Sequence, residues 1–149
     1  QWRYLKGDGD FRSIEIQPLI HEADFVITNP PFSMFREFLA WVVSANKRFS
    51  VIGNMNAITY KEVFPLIRDN RIWTGATNFN TGMYFEVPEN FSYKATYKFK
   101  REMDGVKVNR VPGVCWYTDI EHVRRQQPLS LTNTTDNLSF DKKFVKTLG

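Results

Sequence analysis

The stretch DFVITNPPFSMF, residues 24–35, decides how this sequence folds. Its first half, Phe25–Thr28, is a short apolar run that predicts a buried strand. The run ends in Asn-Pro-Pro-Phe, in which two consecutive prolines fix the backbone φ angle and favour an extended turn over a continued strand or helix. A polar amide, a stiff backbone and an aromatic ring therefore stand at the tip of the predicted strand.

Apolar residues recur at the helical period directly after this turn, which predicts a helix with Ser33 as its N-cap and an end near Asn46. The apolar positions of this helix are Phe35, Phe38, Leu39, Val42 and Val43. A second strand, Phe49–Ile52, runs into another polar turn, GNMN, and then into a helix that Pro65 bends or delays. A short helix starting near Ser13 is also expected.

Strands that alternate with helices over short connections predict a parallel sheet with helices packed on it. Function in such sheets gathers beyond the carboxyl ends of the strands. Both unusual turns, NPPF and GNMN, fall at such ends. In the second turn, Asn54 and Asn56 either contact a substrate or cap the following helix, and capping is slightly favoured.

The second half of the chain changes to alternating strands. Residues 93–100 alternate strictly between apolar and polar, and Asp104-Gly105 predicts a type I′ hairpin. The segment GVCWYT, residues 113–118, extends this hairpin or adds a strand. The hairpin is basic, and its cations either follow nucleic-acid phosphates or keep the exposed edge soluble, two readings of equal weight. These cations are Lys94, Lys98, Lys100, Arg101, Lys107 and Arg110, whereas Arg124 and Arg125 are expected to be a solvated pair.

Composition excludes several classes of protein. No apolar run approaches the length of a membrane span, and a single cysteine, Cys115, excludes a disulfide framework. With only His21 and His122 as further soft ligands, no metal site is expected. A reducing, cytoplasmic location fits this composition. The net charge of +4 is compatible with a nucleic-acid partner.

The NPPF turn has an ordinary explanation and a chemical one. Asn-Pro is a common turn opener, so the four residues could simply end a strand. In the chemical explanation, the Asn29 side-chain oxygen and the Pro30 carbonyl accept the two hydrogens of an exocyclic amine, such as that of adenine. Pro31 helps to hold that carbonyl in place, and Phe32 stacks on a base turned out of its duplex.

The NPPF turn resembles the catalytic motif of the S-adenosylmethionine-dependent amino-methyltransferases, Asn/Asp/Ser-Pro-Pro-aromatic. The segment GDGDFRS, residues 7–13, is similar to the family segment that borders the adenine of the methyl donor, which implies donor-binding roles for Asp10 and Phe11. Two longer stretches resemble more closely the adenine-specific DNA methyltransferases of type II restriction–modification systems. They are FREFLAWVVSANKRFSVIGNMNAITYKEVFPLIRDNRIW, residues 35–73, and RVPGVCWYTDIEH, residues 110–122.

This resemblance implies an α/β fold, a partial class I methyltransferase-like (Rossmann-like) sheet with flanking helices and a C-terminal antiparallel hairpin. It implies an enzyme that transfers a methyl group from S-adenosylmethionine to the N6 amine of adenine in double-stranded DNA, bacterial or phage-encoded. The family's Gly-rich donor loop has no counterpart here. The chain, which begins at Gln1, is therefore expected to lack the N-terminal donor-binding part and to have little activity alone.

Residues 1–128 are expected to form the C-terminal part of the catalytic domain, and residues 129–149 a polar tail or the start of a further DNA-contacting segment. Without the preceding strands, Phe25–Thr28 would be an exposed apolar edge open to another copy or another segment. Two alternatives remain: methyl transfer to RNA adenine or to a protein glutamine, and a non-catalytic nucleic-acid-binding module.

Overall fold

The computed structural model of the chain describes residues 4–77, 79, 81–92 and 100–128, and the side chains of residues 100–102 fall outside the description. The described ranges contain three α-helices: α1 (Leu19–Glu22), α2 (Phe35–Ser44) and α3 (Phe64–Arg68). They also contain seven strands: β1 (Phe25–Thr28), β2 (Arg48–Asn54), β3 (Trp73–Thr74), β4 (Met83–Glu86), β5 (Lys100–Met103), β6 (Val106–Val111) and β7 (Val114–Thr118).

The first sheet has the strand order β1-β2-β7-β3. Strand β1 pairs in parallel with β2, in a register that sets Val26 opposite Phe49. Strand β7 runs antiparallel to both β2 and β3. Strands β1, β2 and β3 therefore point the same way, and one reversed strand lies between the last two. The chain is a mixed α/β protein, and its predicted parallel pair, β1 and β2, is confirmed.

Helix α2 follows the predicted period closely. Its apolar stripe is buried against one face of the first sheet, where the Phe35 ring meets the Tyr117 ring at 5.2 Å between centroids. Burying such a stripe stabilises the helix more than its intrinsic propensity does. The helix stops before Asn46, whose φ of 53° is the left-handed conformation that ends many helices.

Two local expectations differ from the structure, and a third is confirmed. Ser33 does not cap α2, because a 3₁₀ turn, Phe32–Met34, leads into the helix and Met34 occupies the cap position. Residues 13–18 form turns, and the helix expected there is the single turn α1 after Pro18. Pro65 does delay its helix as predicted: α3 begins at Phe64 with the proline in its first turn, where a missing N–H costs nothing.

The second sheet is antiparallel, with the order β4-β6-β5. Asp104 and Gly105 have φ angles of 50° and 76°, so the predicted type I′ hairpin between β5 and β6 is confirmed. The alternating stretch 93–99 lies outside the described residues. After β6, a two-residue turn ending at Gly113 sends the chain into β7, which joins the first sheet and so adds a strand instead of extending the hairpin.

Strand β1 is an edge of the first sheet within the described ranges, as expected for this apolar segment. Phe25 and Ile27 share one face of the strand and are 57% and 70% exposed. Val26, on the other face, packs against the core beneath α2. An apolar edge strand of this kind is a template for pairing with another strand.

Candidate active site

One pocket brings together the two segments that the sequence singles out. It has a volume of about 350 Å³ and lies at the carboxyl end of β1. One wall is formed by the loop around Asp10 and Phe11, and the other by Thr28 and the following Asn29, Pro30 and Pro31. Helix α2 contributes Phe38 to the floor. Segments about twenty residues apart in the chain therefore share one concave site.

The Asn29 side chain is an available acceptor in this pocket. Asn29 is exposed, and its side chain makes no hydrogen bond to any residue that the structure describes. An asparagine in a turn commonly accepts from the backbone N–H two residues ahead. That residue is Pro31, which has no N–H. Pro31 therefore leaves the amide oxygen without this common local donor.

The backbone after Asn29 is held in one conformation. Pro31 has φ −55° and ψ 129°, and its carbonyl accepts a hydrogen bond from the Met34 N–H at 2.9 Å. No hydrogen bond within the described part of the chain reaches the Pro30 carbonyl. The turn thus combines one engaged carbonyl, which anchors the 3₁₀ turn, with one unengaged carbonyl beside Asn29.

Phe32 is not a core residue. Its side chain is 43% exposed at the start of the 3₁₀ turn, whereas Phe35, three residues later, is 1% exposed. An aromatic ring that the fold does not bury is available to stack on a flat ligand. Its exposure therefore excludes a purely structural role for Phe32 in the core.

Asp10 is held by its neighbour Arg12. The guanidinium donates to both carboxylate oxygens, with Nε–Oδ1 at 3.1 Å and Nη2–Oδ2 at 2.7 Å, and the Arg12 backbone N–H donates to Oδ1 at 2.9 Å. The side-chain hydrogen bonds from Arg12 lower the pKa of Asp10 below its ordinary value. Asp10 is consequently an ionised, oriented carboxylate at the mouth of the pocket.

Phe11 is largely buried, yet it lines the pocket. It is 8% exposed and packs edge-on against Phe38, with ring centroids 5.2 Å apart, and against Trp41 at 5.4 Å. Both partners lie on α2. The loop around Asp10 and Phe11 is therefore fixed to the helix that follows the NPPF turn, which sets the spacing of the two pocket walls.

Sequence reasoning missed Tyr117 as a positioning residue. Its ring is fully buried, and its hydroxyl donates to the carbonyls of Asn54 (2.8 Å) and Met55 (3.3 Å). Burial raises the pKa of Tyr117 well above its ordinary value, so the hydroxyl remains a donor. Tyr117 thereby anchors the turn after β2. Its place in an apolar β-strand gave no signal of this contact, which spans 63 residues.

Asn54 serves as a cap. Its side-chain oxygen accepts from the Asn56 N–H at 2.8 Å, at the start of a 3₁₀ helix, Met55–Thr59. This outcome matches the favoured structural interpretation of the GNMN turn. The Asn56 side chain is exposed and is not needed for that cap.

The predicted cationic residues have different placements. Lys107 lies on β6, and its ammonium donates to the backbone carbonyls of Glu89 and Phe91 at 3.1 and 2.6 Å. Arg110 donates to the Thr81 carbonyl. Lys94 and Lys98 lie outside the described residues, and the structure describes only the backbone of Lys100 and Arg101, on β5. DNA contact by these residues stays a prediction.

The expectation of a solvated Arg124–Arg125 pair is wrong for Arg125. Its guanidinium stacks on the Trp73 ring, 3.6 Å from the centroid, and pairs with Glu121. Its side chain is only 20% exposed, because the indole face and the carboxylate replace water around the cation. Arg124 remains exposed and donates to the Ala76 carbonyl at 3.1 Å.

A larger, apolar cavity of about 950 Å³ lies between α3 and β3, lined by residues such as Ile58, Phe64 and Trp73. It contains no residue of the NPPF or Asp10–Phe11 segments, so its size does not make it the reaction site. Within the described ranges, no three His, Cys, Asp or Glu side chains form a group that could hold a metal ion.

Comparison with known proteins assigns the family. The sequence profile of the family described as "Adenine-specific methyltransferase EcoRI" matches residues 1–145. The chain belongs to this family. Its similarity to the adenine-specific methyltransferases therefore extends over nearly all of its length, and the resemblance that NPPF indicated is confirmed.

Two relatives illustrate the similarity. The chain is 40% identical over 126 residues to the Type II methyltransferase M.EcoRI of Escherichia coli, an alignment covering 85% of this chain and 38% of the relative. It is 33% identical over 144 residues to the Type II methyltransferase M.MpnI of Mycoplasma pneumoniae, covering 95% of this chain and 44% of the relative. The chain thus spans about two fifths of the length of these relatives.

No solved structure matches the chain. Among the residues described, no helix has the length and apolar character needed to cross a bilayer. The proposed function rests on the pocket at the end of β1 and on the family assignment.

Proposed function

We propose that this chain carries the amine-binding half of the active site of a DNA adenine methyltransferase. The complete protein would transfer a methyl group from S-adenosylmethionine to the N6 amine of adenine in double-stranded DNA. The observation that carries the proposal is the single pocket lined by both Asn29-Pro30-Pro31 and Asp10-Phe11. The family and its Type II methyltransferase relatives support the same reaction.

The NPPF turn would act on the target amine. The lone pair of an aromatic amine is delocalised into the ring, so the nitrogen is a poor nucleophile. Asn29 Oδ1 and the Pro30 carbonyl would each accept one N–H, orient the nitrogen and stabilise the positive charge that develops on it. As the C–N bond forms, the bond between the methyl carbon and the sulfonium sulfur would break and leave a neutral thioether. The nitrogen would then lose one proton to solvent. The free acceptor on Asn29 and the unengaged Pro30 carbonyl support this role.

Phe32 would hold the target base after it has left the duplex. A base inside B-DNA is not accessible to an enzyme, so the nucleotide must be rotated outward, and the lost stacking must be offset. The exposed ring of Phe32, directly after the two prolines, supports stacking on the extruded base.

The residues on the opposite wall fit part of the methyl donor. When bound, S-adenosylmethionine would supply an electrophilic methyl group on a sulfonium. Its adenine needs an apolar face and a hydrogen-bond acceptor for its amine. Phe11 would supply the face and the Asp10 carboxylate the acceptor, and both line the pocket.

The arrangement of the first sheet supports a class I methyltransferase-like fold. Parallel strands with one antiparallel strand inserted near the edge, and helix α2 packed across one face, agree with the implied architecture. In that fold another strand lies beside the strand that carries NPPF, and the position of β1 at an edge of the described sheet leaves room for such a neighbour. A second copy of the chain could cover the same edge.

The decisive experiment uses the intact protein and a labelled methyl donor. Duplex DNA, RNA and a protein substrate would be offered in parallel, and the methylated product identified as N6-methyladenine or methylglutamine. We expect transfer to duplex DNA only. Transfer to RNA or to protein instead would replace DNA as the substrate, and absence of any transfer would refute the proposal.

A further inference from the structure

We propose that Arg12 is a positioning residue for the methyl donor. Its forked guanidinium group holds the Asp10 carboxylate, which lines the proposed donor pocket. The inference rests on the proposed function, since it assumes that Asp10 receives the donor's adenine amine. Neither the motif nor the family assignment gives Arg12 a role.

The contact between Arg12 and Asp10 has the form of a preorganised pair. Nε and Nη2 of Arg12 reach the two carboxylate oxygens at 3.1 and 2.7 Å. A planar guanidinium bound at both oxygens fixes the plane of the carboxylate as well as its charge. The Asp10 N–H donates to Asp8 Oδ1 at 3.1 Å, so the backbone of the loop is restrained too.

Arg12 also connects the wall around Asp10 and Phe11 to helix α2. Its Nη1 lies 3.9 Å from Glu37 Oε2, on the helix that follows the NPPF turn. The guanidinium sits 5.9 Å from the centre of the Phe11 ring, whose other contacts are to Phe38 and Trp41 of that helix. Arg12 therefore adds polar contacts between this loop and α2, where Phe11 provides the apolar contacts.

An exposed ion pair contributes little to folding, so stability alone gives no reason for this geometry. Both partners are partly exposed, at 56% for Arg12 and 29% for Asp10. Positioning gives a reason, because a carboxylate acceptor that is already oriented loses less freedom when a ligand binds.

The test is calorimetric titration of S-adenosylhomocysteine into the intact protein at several pH values. We expect Arg12→Gln to weaken binding about tenfold near pH 7, a coupling usual for side chains in direct contact. Arg12→Lys, which keeps the charge without the planar fork, is expected to fall between wild type and Arg12→Gln. Turnover at saturating donor should change less than twofold.

The pH dependence of donor binding separates a positioning role of Arg12 from a purely structural one. Asp10 has a lowered pKa, with Arg12 as its main cause and Asp8 and Glu37 as the neighbouring acids that act on Arg12. A carboxylate with a lowered pKa stays ionised until the pH falls below its usual range. In Arg12→Gln the acid loss of donor binding should therefore begin at higher pH than in wild type. Equal weakening at every pH would indicate a structural role only.

The chain offers a matched control in Arg68. It contacts its neighbour Asp69 in the same way, at 2.7 and 3.2 Å, and lines no part of the pocket. Arg68→Gln should leave donor affinity and its pH profile unchanged.

Asp10→Asn separates the role of Arg12 from the assignment of the donor site itself. If Asp10→Asn weakens binding and Arg12→Gln does not, the role of Arg12 is refuted and the donor site stands. If neither variant changes the affinity, the donor site itself is misassigned. If both weaken it, the double variant should be no weaker than Asp10→Asn alone.

Discussion

The carboxyl ends of β1 and β2 each carry an asparagine, and the fold uses the two side chains differently. Asn54, after β2, accepts from the Asn56 N–H and begins a 3₁₀ helix. Asn29, after β1, has no such contact, because the residue two positions ahead is Pro31. The prolines of NPPF therefore do more than stiffen a turn, because Pro31 removes the N–H that would otherwise bind the amide oxygen.

The first prediction tests the catalytic role of Asn29. In the intact protein, Asn29→Ala should lower methyl transfer by about 10²- to 10³-fold, the usual effect of losing one preorganised contact to a developing charge. DNA affinity should change little, because phosphate contacts dominate it. Single-turnover transfer of a labelled methyl group and equilibrium DNA binding measure the two quantities. Asn54→Ala is the matched control, and near-normal turnover in Asn29→Ala would refute the catalytic role.

The second prediction concerns the ring that follows the prolines. Phe32→Ala should weaken capture of the extruded base by about 1–3 kcal/mol, the usual size of one base–aromatic stack. Since Phe32 is 43% exposed, the free energy of unfolding should change far less than for a core phenylalanine. Fluorescence of 2-aminopurine at the target position reports extrusion of the base.

Phe64→Ala provides the control for Phe32. Phe64 is also exposed, at 54%, but it lines the apolar cavity beside α3. Its removal should leave the 2-aminopurine signal at the wild-type level. A signal that stays low with wild-type protein in excess would show that the base is not extruded onto Phe32.

The third prediction gives Asn29 the kind of local donor that Asn54 already has. Pro31→Ala restores an N–H two residues after Asn29, so that the amide can make the contact seen at Asn54. A neutral hydrogen bond contributes about 0.5–1.5 kcal/mol net, so turnover should fall about three- to tenfold. Pro65→Ala, in the first turn of α3, controls for loss of a proline. Unchanged turnover in Pro31→Ala would mean that neither the missing N–H nor the stiffness of Pro31 contributes to catalysis.

The fourth prediction concerns the structural asparagine. Asn54→Ala should lower the free energy of unfolding by about 1 kcal/mol, as expected for a lost N-cap. Urea unfolding of the wild type and the variant measures this difference. Methyl transfer should stay within about twofold of wild type, because no charge develops at Asn54. A large loss of turnover with normal stability would instead indicate that Asn54 contacts the substrate.

Much of the site followed from short-range patterns. The apolar run of β1, the helical period of α2 and the Asp104-Gly105 turn depend on residues a few positions apart, and each has a backbone preference that the fold retains. Pro31 likewise removes the N–H two residues after Asn29 in any fold.

Other parts of the site needed the folded chain. Nothing in the apolar segment 113–118 specifies that it inserts between β2 and β3, or that Tyr117 anchors a turn 63 residues away. Strand β3 is two residues long and has no periodicity to detect. The Arg12 fork on Asp10 joins residues two apart, yet its link to Glu37 exists only because Phe11 packs on α2.

The sequence by itself determined which groups stand at the end of β1 and that Pro31 offers Asn29 no N–H. Tertiary structure alone decided that the Asp10 loop faces that end and that β7 lies antiparallel between β2 and β3. The physical reason is the range of the interactions. Backbone sterics and local hydrogen bonds act within a few residues, whereas pairing between distant segments depends on which apolar surfaces the whole chain can bury together.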